Sequence, residues 1–358
     1  MSDAAGLAKA PWLYLAVLKS KLGEYAALRD LDPKVRARIT PLIQLHHVKN
    51  DETAVADLIA LLKDLRTGWD AEPPVLLDGD WMKTSSGILR AIEAAHAVGR
   101  SAVPVTGLRR PVAYQSFVKR SLEISRQGLA IRLRREDFAE GVEMEQSLAQ
   151  VMSELGVGPG ETDLMVDLRD VQESHLEADE IAAIGMLNRL PWIDDWRHLA
   201  LTATAMPTGV STFPRDRITP LRRVEWALYQ ALRRSRDAIP RLPTFGDYGI
   251  TNPEPVEESV DPKMMRVTAH LRCATEEDWL IVKSGTIDKG GIERLPELFR
   301  ALVERPDYVE EKYSSADDWI KQVGKGDASP GNATTWRHRG SVRHLTLVTR
   351  QVSSQAAA

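Results

Sequence analysis

Lys19, Arg132 and Arg134 are cations at the ends of apolar runs, and Asp78, Asp80, Asp167, Asp170 and Asp247 are carboxylates in equivalent places. Cations so placed can grip a phosphate or carboxylate, because a guanidinium fork matches either anion. The carboxylates can then act as general bases, which makes Asp78, Asp167 and Asp247 the candidate catalytic groups. Asp78, Asp80, Asp167 and Asp247 can also offer oxygen ligands to Mg²⁺ or Mn²⁺. Nothing in their spacing requires an ion, since Asp also caps helices and opens turns. The same charges have two readings without chemistry. In one, Asp78 and Asp167 satisfy a buried Arg132 as a structural network; in the other, the charged ring is a docking surface for a protein partner.

Gly246-Asp247-Tyr248-Gly249 is the sharpest local signal. Two glycines around a polar pair let backbone approach a ligand closely, so Gly246, Tyr248 and Gly249 join the candidate ligand contacts. A tight turn with Tyr248 packed under a neighbouring segment explains the same residues without a ligand. Near the start, Lys19 and Lys21 precede Gly23-Glu24-Tyr25, where a helix begins. Its positive end favours Glu24 and could share an anion with the two lysines. Glu24, Tyr25 and Thr204 complete the candidate ligand set. Zinc is disfavoured: His46 and His47 are adjacent and point to opposite faces of an extended strand, and no His-Glu-x-x-His motif occurs.

Eight short apolar runs separated by amphipathic stretches must position these side chains. The expected strands are Leu13–Leu18, Ile39–Leu45, Val75–Asp78, Ala102–Thr106, Leu129–Arg134, Leu164–Leu168, Leu199–Thr204 and Thr244–Asp247. The expected helices include Thr53–Leu65, Gly87–Val98, Tyr114–Ser125, Met144–Leu155, Glu180–Leu190 and Leu221–Arg233, with Asp51 or Thr53 capping the first of these. This alternation with eight strands is the signature of a (β/α)8 TIM-like barrel, whose ligand site lies at the carboxyl ends of its strands. Side chains alternate along a strand, so Ala130, Arg132 and Arg134 share one face and Leu129, Ile131 and Leu133 the other. The apolar set should meet the helices, which turns Arg132 and Arg134 into the barrel or its mouth. After the eighth strand, Pro253–Pro262 reads as an acidic, proline-rich loop. Met265–Cys273 and Trp279–Lys283 read as a β-hairpin inserted over the mouth. A helical C-terminal extension follows, helical near Ile292–Val303, Ala316–Val323 and the end of Thr334–Val352, with Ser353–Ala358 frayed.

Composition fits one barrel domain across the 358 residues, with hydrophobic residues at 43% and charged residues at 27%. A net charge of −4 gives no general attraction to nucleic acid or to an anionic membrane. Cys273 is the only cysteine, which excludes an intrachain disulfide and a thiolate metal cluster. No run approaches the ~20 apolar residues of a membrane span, and Met1–Ala10 lacks a secretory signal, so the cytoplasm is the expected address. Phosphate loops, nucleophile elbows and dinucleotide fingerprints are absent. Trp336, Arg337, His338, Arg339, Arg343 and His344 form a basic tail that could stack and bind nucleic acid, but a solvated helix with a packed tryptophan explains it more simply.

Specific residues also carry a resemblance. Tyr14, Leu18-Lys19, Lys21, Gly23-Glu24-Tyr25 and Ala27-Leu28, then Pro41-Leu42 and Gly246-Asp247-Tyr248-Gly249, are similar to the beta family, that of the bacteriophage T4 beta protein. Asp317, Gly331-Asn332, Trp336-Arg337, Gly340 and His344 extend the resemblance to the end of the chain. It implies a phage or mobile-element context and no particular activity. The expectation is a barrel handling an anionic, phosphate-bearing small molecule, as an enzyme only if it hydrolyses phosphate esters or processes nucleotides. The alternative is a non-catalytic component of a phage-defence or host-takeover system.

Overall fold

The computed structural model describes residues 12–46, 50–65, 74–139, 143–254, 267–311 and 314–356. In chain order the first strands and helices are β1 (Tyr14–Lys19), α1 (Leu22–Asp30), α2 (Pro33–Arg36), β2 (Ile39–His46), α3 (Asp51–Leu65), β3 (Val75–Trp81) and α4 (Gly87–Ala97). Then come β4 (Ala102–Thr106), α5 (Val112–Ser125), β5 (Leu129–Arg134), α6 (Met144–Leu155), β6 (Thr162–Asp170), α7 (Leu176–Asn188) and β7 (His198–Thr204). The chain continues through β8 (Arg217–Arg222), α8 (Val224–Arg234), β9 (Thr244–Asp247), β10 (Thr268–Ala274), β11 (Asp278–Thr286), α9 (Leu295–Val303), α10 (Ser315–Lys325) and α11 (Ala333–Ala356). Strands β1 to β7 and β9 close a barrel of eight, each parallel to its neighbours, with β9 returning to pair with β1. All eight expected barrel strands are present.

Alternation sorts the side chains as the strand period requires. Leu15, Val17, Leu42, Leu76, Val103, Val105, Ala130, Met165, Ala200 and Tyr248 fill the inside. Tyr14, Ala16, Leu18, Ile43, Leu77, Ile131, Leu133, Leu164, Val166, Leu199, Leu201 and Phe245 face the helices in the larger outer core. Bulky apolar layers low in the barrel give way to polar side chains at its carboxyl end. The floor is therefore packed, and chemistry is confined to the rim.

Three features differ from the reading of the sequence. Helix α3 is capped by Asn50, whose side-chain oxygen accepts from Thr53 N and Thr53 Oγ1 at 2.8 Å each, while Asp51 instead binds Lys83 N and Thr84 N across the β3–α4 loop. The expected hairpin is a three-stranded sheet, because Arg217–Arg222 adds an edge strand antiparallel to β11. That sheet and helices α9 and α10 share a small core of Leu271, Cys273, Leu280, Val282, Phe299, Ile320 and Trp336. Residues 255–266, which held most of the proline-rich loop and the expected start of the hairpin, lie outside the described residues.

Last, α11 is not an appendage. Its Val342, Leu345, Val348 and Val352 enter the outer core of the barrel, and it packs on α1 and β1. Gln355 donates to Gln230 of α8 at 3.1 Å. It thus occupies the place of the eighth barrel helix, between α8 and α1. The expected fraying at 353–358 is corrected accordingly: residues 353–356 continue the helix, with Ser353 Oγ donating to Thr349 O at 2.5 Å.

Candidate functional site

Arg132 enters the barrel as its strand parity requires. Its Nη1 donates to Asp78 Oδ2 at 2.9 Å and its Nε to Asp167 Oδ2 at 3.0 Å, while Nη2 donates to the Tyr248 hydroxyl. Tyr248 in turn donates to Asp167 at 2.7 Å, Thr202 Oγ1 donates to the same carboxylate at 3.1 Å, and Arg169 N does so at 3.0 Å. Burial alone would push Asp167 up, but the Arg132 guanidinium and the Tyr248 hydroxyl outweigh it and hold the carboxyl below its ordinary value. Asp167, Tyr248 and Asp78 in turn raise Arg132 and keep it charged despite complete burial.

The network climbs toward solvent. Arg110, from the loop after β4, donates to Asp78 at 2.9 Å and also pairs with Asp80. Arg134 donates to Asp80 at 2.7 Å. Three guanidinium groups therefore alternate with three carboxylates from the barrel interior to its rim. At the top, a cavity of about 220 Å³ is lined by Asp80, Arg109, Arg110, Arg132, Arg134 and Asp137 among others. Arg109 pairs with Asp137 at 2.9 Å. Reading the sequence missed Arg109 and Arg110, because they lie in a loop where no periodic signal marks which way a side chain points.

The other expected site residues fall elsewhere. Asp78, Asp80, Asp167 and Asp247 do not assemble as a metal site: the guanidinium of Arg132 sits between Asp78 and Asp167. Among the described residues no group of three or more His, Cys, Asp or Glu is arranged to hold an ion. Asp247 alternates with Gly246 and Tyr248, so it faces out toward the helices. There it accepts from Tyr14 Oη at 2.5 Å, His344 Nε2 at 2.8 Å and Gly249 N at 2.9 Å. Tyr25 also turns into the outer core, away from the mouth. The Thr204 hydroxyl accepts from Met206 N at 3.1 Å and so closes a turn. Gly246 is required by packing, not by a ligand, because a Cβ there would lie 2.6 Å from Thr202 Cγ2 and 3.0 Å from Leu15 O. Gly249, at a φ of +53°, makes the left-handed turn that follows.

Lys19 has neighbours different from those expected. Its Nζ donates to Glu254 O at 2.5 Å and lies 5.3 Å from the centre of the Trp81 ring, and its nearest charged groups are Lys21, Glu24, Arg337 and Arg272. The expected solvated basic tail holds only in part: its tryptophan is packed as expected and Arg337, His338 and Arg339 are partly exposed, but Arg343 and His344 are not. Trp336, Arg343 and His344 are buried within α11, where Arg343 pairs with Asp317 and His344 stacks on Trp279 with ring centres 4.6 Å apart. His46 is buried, and His47 lies outside the described residues.

Beneath Trp279 lies Glu225, which accepts from Trp279 Nε1 at 3.1 Å and from Ala205 N at 3.0 Å. Burial, opposed only in part by Arg223, pushes its carboxyl up to about 7 from 4.5. A carboxyl whose folded value is raised stabilises the fold below its unfolded value, and that contribution is lost as pH rises through the folded value. Unfolding free energy is therefore expected to fall between pH ~4.5 and ~7, and Glu225→Gln to flatten that part of the curve. Urea midpoints across the window check it; an unchanged slope in the variant would assign the pH dependence to other groups.

The family described as Beta protein matches residues 14–350. No curated protein matches the sequence. Among solved structures, triosephosphate isomerase from Bartonella henselae is 12% identical with a TM-score of 0.32, over 65% of this chain and 91% of that one. A 3-keto-D-glucoside 4-epimerase from E. coli is 13% identical with a TM-score of 0.31, over 60% and 83%. Pyruvate carboxylase from Rhizobium etli is 9% identical with a TM-score of 0.36, over 94% of this chain and 25% of that one.

Proposed function

The chain belongs to the Beta protein family, and from that premise we propose that it is a barrel that binds an anionic, phosphate-bearing small molecule at the carboxyl ends of β3 to β5. The observation that carries this reading is the cavity of about 220 Å³ on which Arg109, Arg110, Arg132 and Arg134 converge. Ligand cavities commonly run to ~300–1,000 Å³, so this one suits a phosphate and a few attached atoms, with the remainder of the ligand lying outside.

The inner arginines are spent on carboxylates, which leaves the outer ones to bind. Among the described residues Arg134 uses only Nη2, toward Asp80, so its Nε and Nη1 each keep a donor for a phosphate. Asp78 and Asp167 are poor bases, because their oxygens already accept from arginine, tyrosine and backbone N–H groups. Phosphate-ester hydrolysis would have to draw on Asp80, Glu136 or Asp137, the carboxylates that reach the cavity. A binding role needs none of them to ionise or move. A phage or mobile-element setting accords with the family resemblance.

A thermal-shift panel of inorganic phosphate, sugar phosphates and nucleotides, with the matching unphosphorylated sugars and nucleosides, tests the reading with wild-type protein, Arg134→Gln and Arg109→Gln. A phosphate-bearing ligand should raise the Tm of the wild type. Each variant should weaken that ligand about tenfold or more, the size of one charge-assisted contact. Loss of the half-exposed Arg134–Asp80 pair should itself cost less than ~1 kcal/mol of stability. A shift that survives in both variants, or that occurs only with unphosphorylated ligands, would overturn this reading and shift the assignment toward a protein-binding component.

A further inference from the structure

A second concentration of charge lies where β1, α1, β10 and α11 meet, and it is not balanced. Among the described residues, Lys19 at the end of β1, Lys21 at the start of α1, Arg272 from β10 and Arg337 from α11 interact with one another around a single carboxylate, Glu24. One Glu24 oxygen accepts from Lys19 N at 2.6 Å; the other lies 3.7 Å from Arg337 Nε and accepts no hydrogen bond among the described residues. Lys19 is 3% exposed, and its ammonium donates to the backbone carbonyl of Glu254. Arg272 donates from Nη1 to Ile250 O at 2.6 Å, while its buried Nε has no hydrogen-bond partner among the described residues. Four cations against one carboxylate is an arrangement that repels itself unless a further anion enters.

The arrangement is also built rather than incidental. A Cβ at Gly23 would meet Arg337 Cβ and Thr334 O at 2.9 Å each, so only glycine lets α11 bring Arg337 onto the start of α1. A Cβ at Gly340 would meet Arg272 O at 2.8 Å, so β10 approaches α11 equally closely. Helix α1 carries no side-chain cap, and its positive end therefore opens toward the same cations. Lys21 and Arg337 are partly exposed, which gives solvent access, while Lys19 forms the buried wall.

We propose that Lys19, Lys21, Arg272 and Arg337 form a second anion site, distinct from the arginine cavity, that takes a tetrahedral oxyanion such as phosphate, sulfate or the phosphoryl group of a small molecule. Burial and, after it, the neighbouring cations pull Lys19 and Lys21 down to about 8 and Arg272 down to about 10. A dianion placed among them would reverse that mutual repulsion. Its binding would accordingly require the protonated lysines and weaken as pH rises through about 8.

Sulfate is the useful probe, because its own charge does not change over that range. Calorimetric titration with sulfate at low ionic strength should show binding by the wild type at pH ~7 that weakens about tenfold by pH ~9.5. Lys21→Gln should weaken it about fivefold or more, and Glu24→Gln, which removes the competing carboxylate yet keeps an acceptor for Lys19 N, should strengthen it. Arg134→Gln should leave the component that weakens toward pH ~9.5 and is lost in Lys21→Gln unchanged, which separates this site from the arginine cavity. No sulfate binding by the wild type would overturn the proposal, as would equal affinities in Lys21→Gln and Glu24→Gln. The pH arm uses unmutated protein and decides the matter even if a variant fails to fold: affinity flat to pH ~9.5 would also overturn it.

Discussion

Replacing Arg132 with leucine is expected to lower the unfolding free energy by about 3–5 kcal/mol, read as a large drop in urea midpoint at neutral pH. The cost comes from what remains. Asp78 and Asp167 are 1% and 0% exposed, and each loses the guanidinium that offsets its burial. Asp78 keeps Arg110 as a partner, whereas Asp167 keeps only the hydroxyls of Tyr248 and Thr202 and the amide of Arg169. Asp167→Asn in the same protein should restore part of the loss, since the stranded charge is removed with its partner. The deficit should also shrink as pH falls from neutral toward ~4, because burial raises the stranded Asp167 carboxyl of the variant and it protonates before its unfolded counterpart does. A loss under ~1 kcal/mol at neutral pH would mean that Arg132 does not neutralise this pair.

Asp247→Ala should cost about 3 kcal/mol or more, because it strands several buried donors at once. Tyr14 Oη and Gly249 N lose their acceptor, and His344 loses the group that orients its ring. Burial pulls His344 below its ordinary value, so a neutral ring donates from Nε2. Stacking of Trp279 on that ring gives a local readout: tryptophan emission should shift red in the variant, and proteolysis should begin in α11 before the rest of the barrel. Asp247→Asn keeps an acceptor and should fall between the two. Wild-type stability in Asp247→Ala, with α11 still protected, would show that the helix is held by its apolar face alone.

Much of this architecture could be read directly from the residues. Ala102–Thr106, Leu129–Arg134 and Thr244–Asp247 are strands with the same bounds in both readings, since each is a short apolar run bounded by turn residues. Alternation placed Arg132 inside the barrel, and the same rule applied to β9 would have sent Asp247 outward once Tyr248 was placed inward. Strand β8 escaped because Arg217–Arg222 carries Pro220 and three polar residues; it exists only by pairing with β11, a distant segment. His344 and Arg343 escaped for a related reason. A run of charged residues reads as solvated unless its buried partners are known, and Asp247 and Asp317 lie 97 and 26 residues away. Several of the residues carrying the family resemblance meet along α11. Glu24 meets Arg337, Asp247 meets His344, and Gly23 and Gly340 let the backbones close on α11.

That last helix also bears on how the chain reaches its fold. Tyr14 in the first strand bonds Asp247 at a separation of 233 residues and lies 3.4 Å from His344 at a separation of 330. Between β9 and α11 the chain must first build β10, β11, α9 and α10, with a core of their own. During synthesis, then, the part of the outer faces of β1 and β9 that α11 covers, Tyr14 and Asp247 included, stays open until α11 itself has been made. Contacts of such high order make closure the late, slow event, and they expose an apolar seam to aggregation until it occurs.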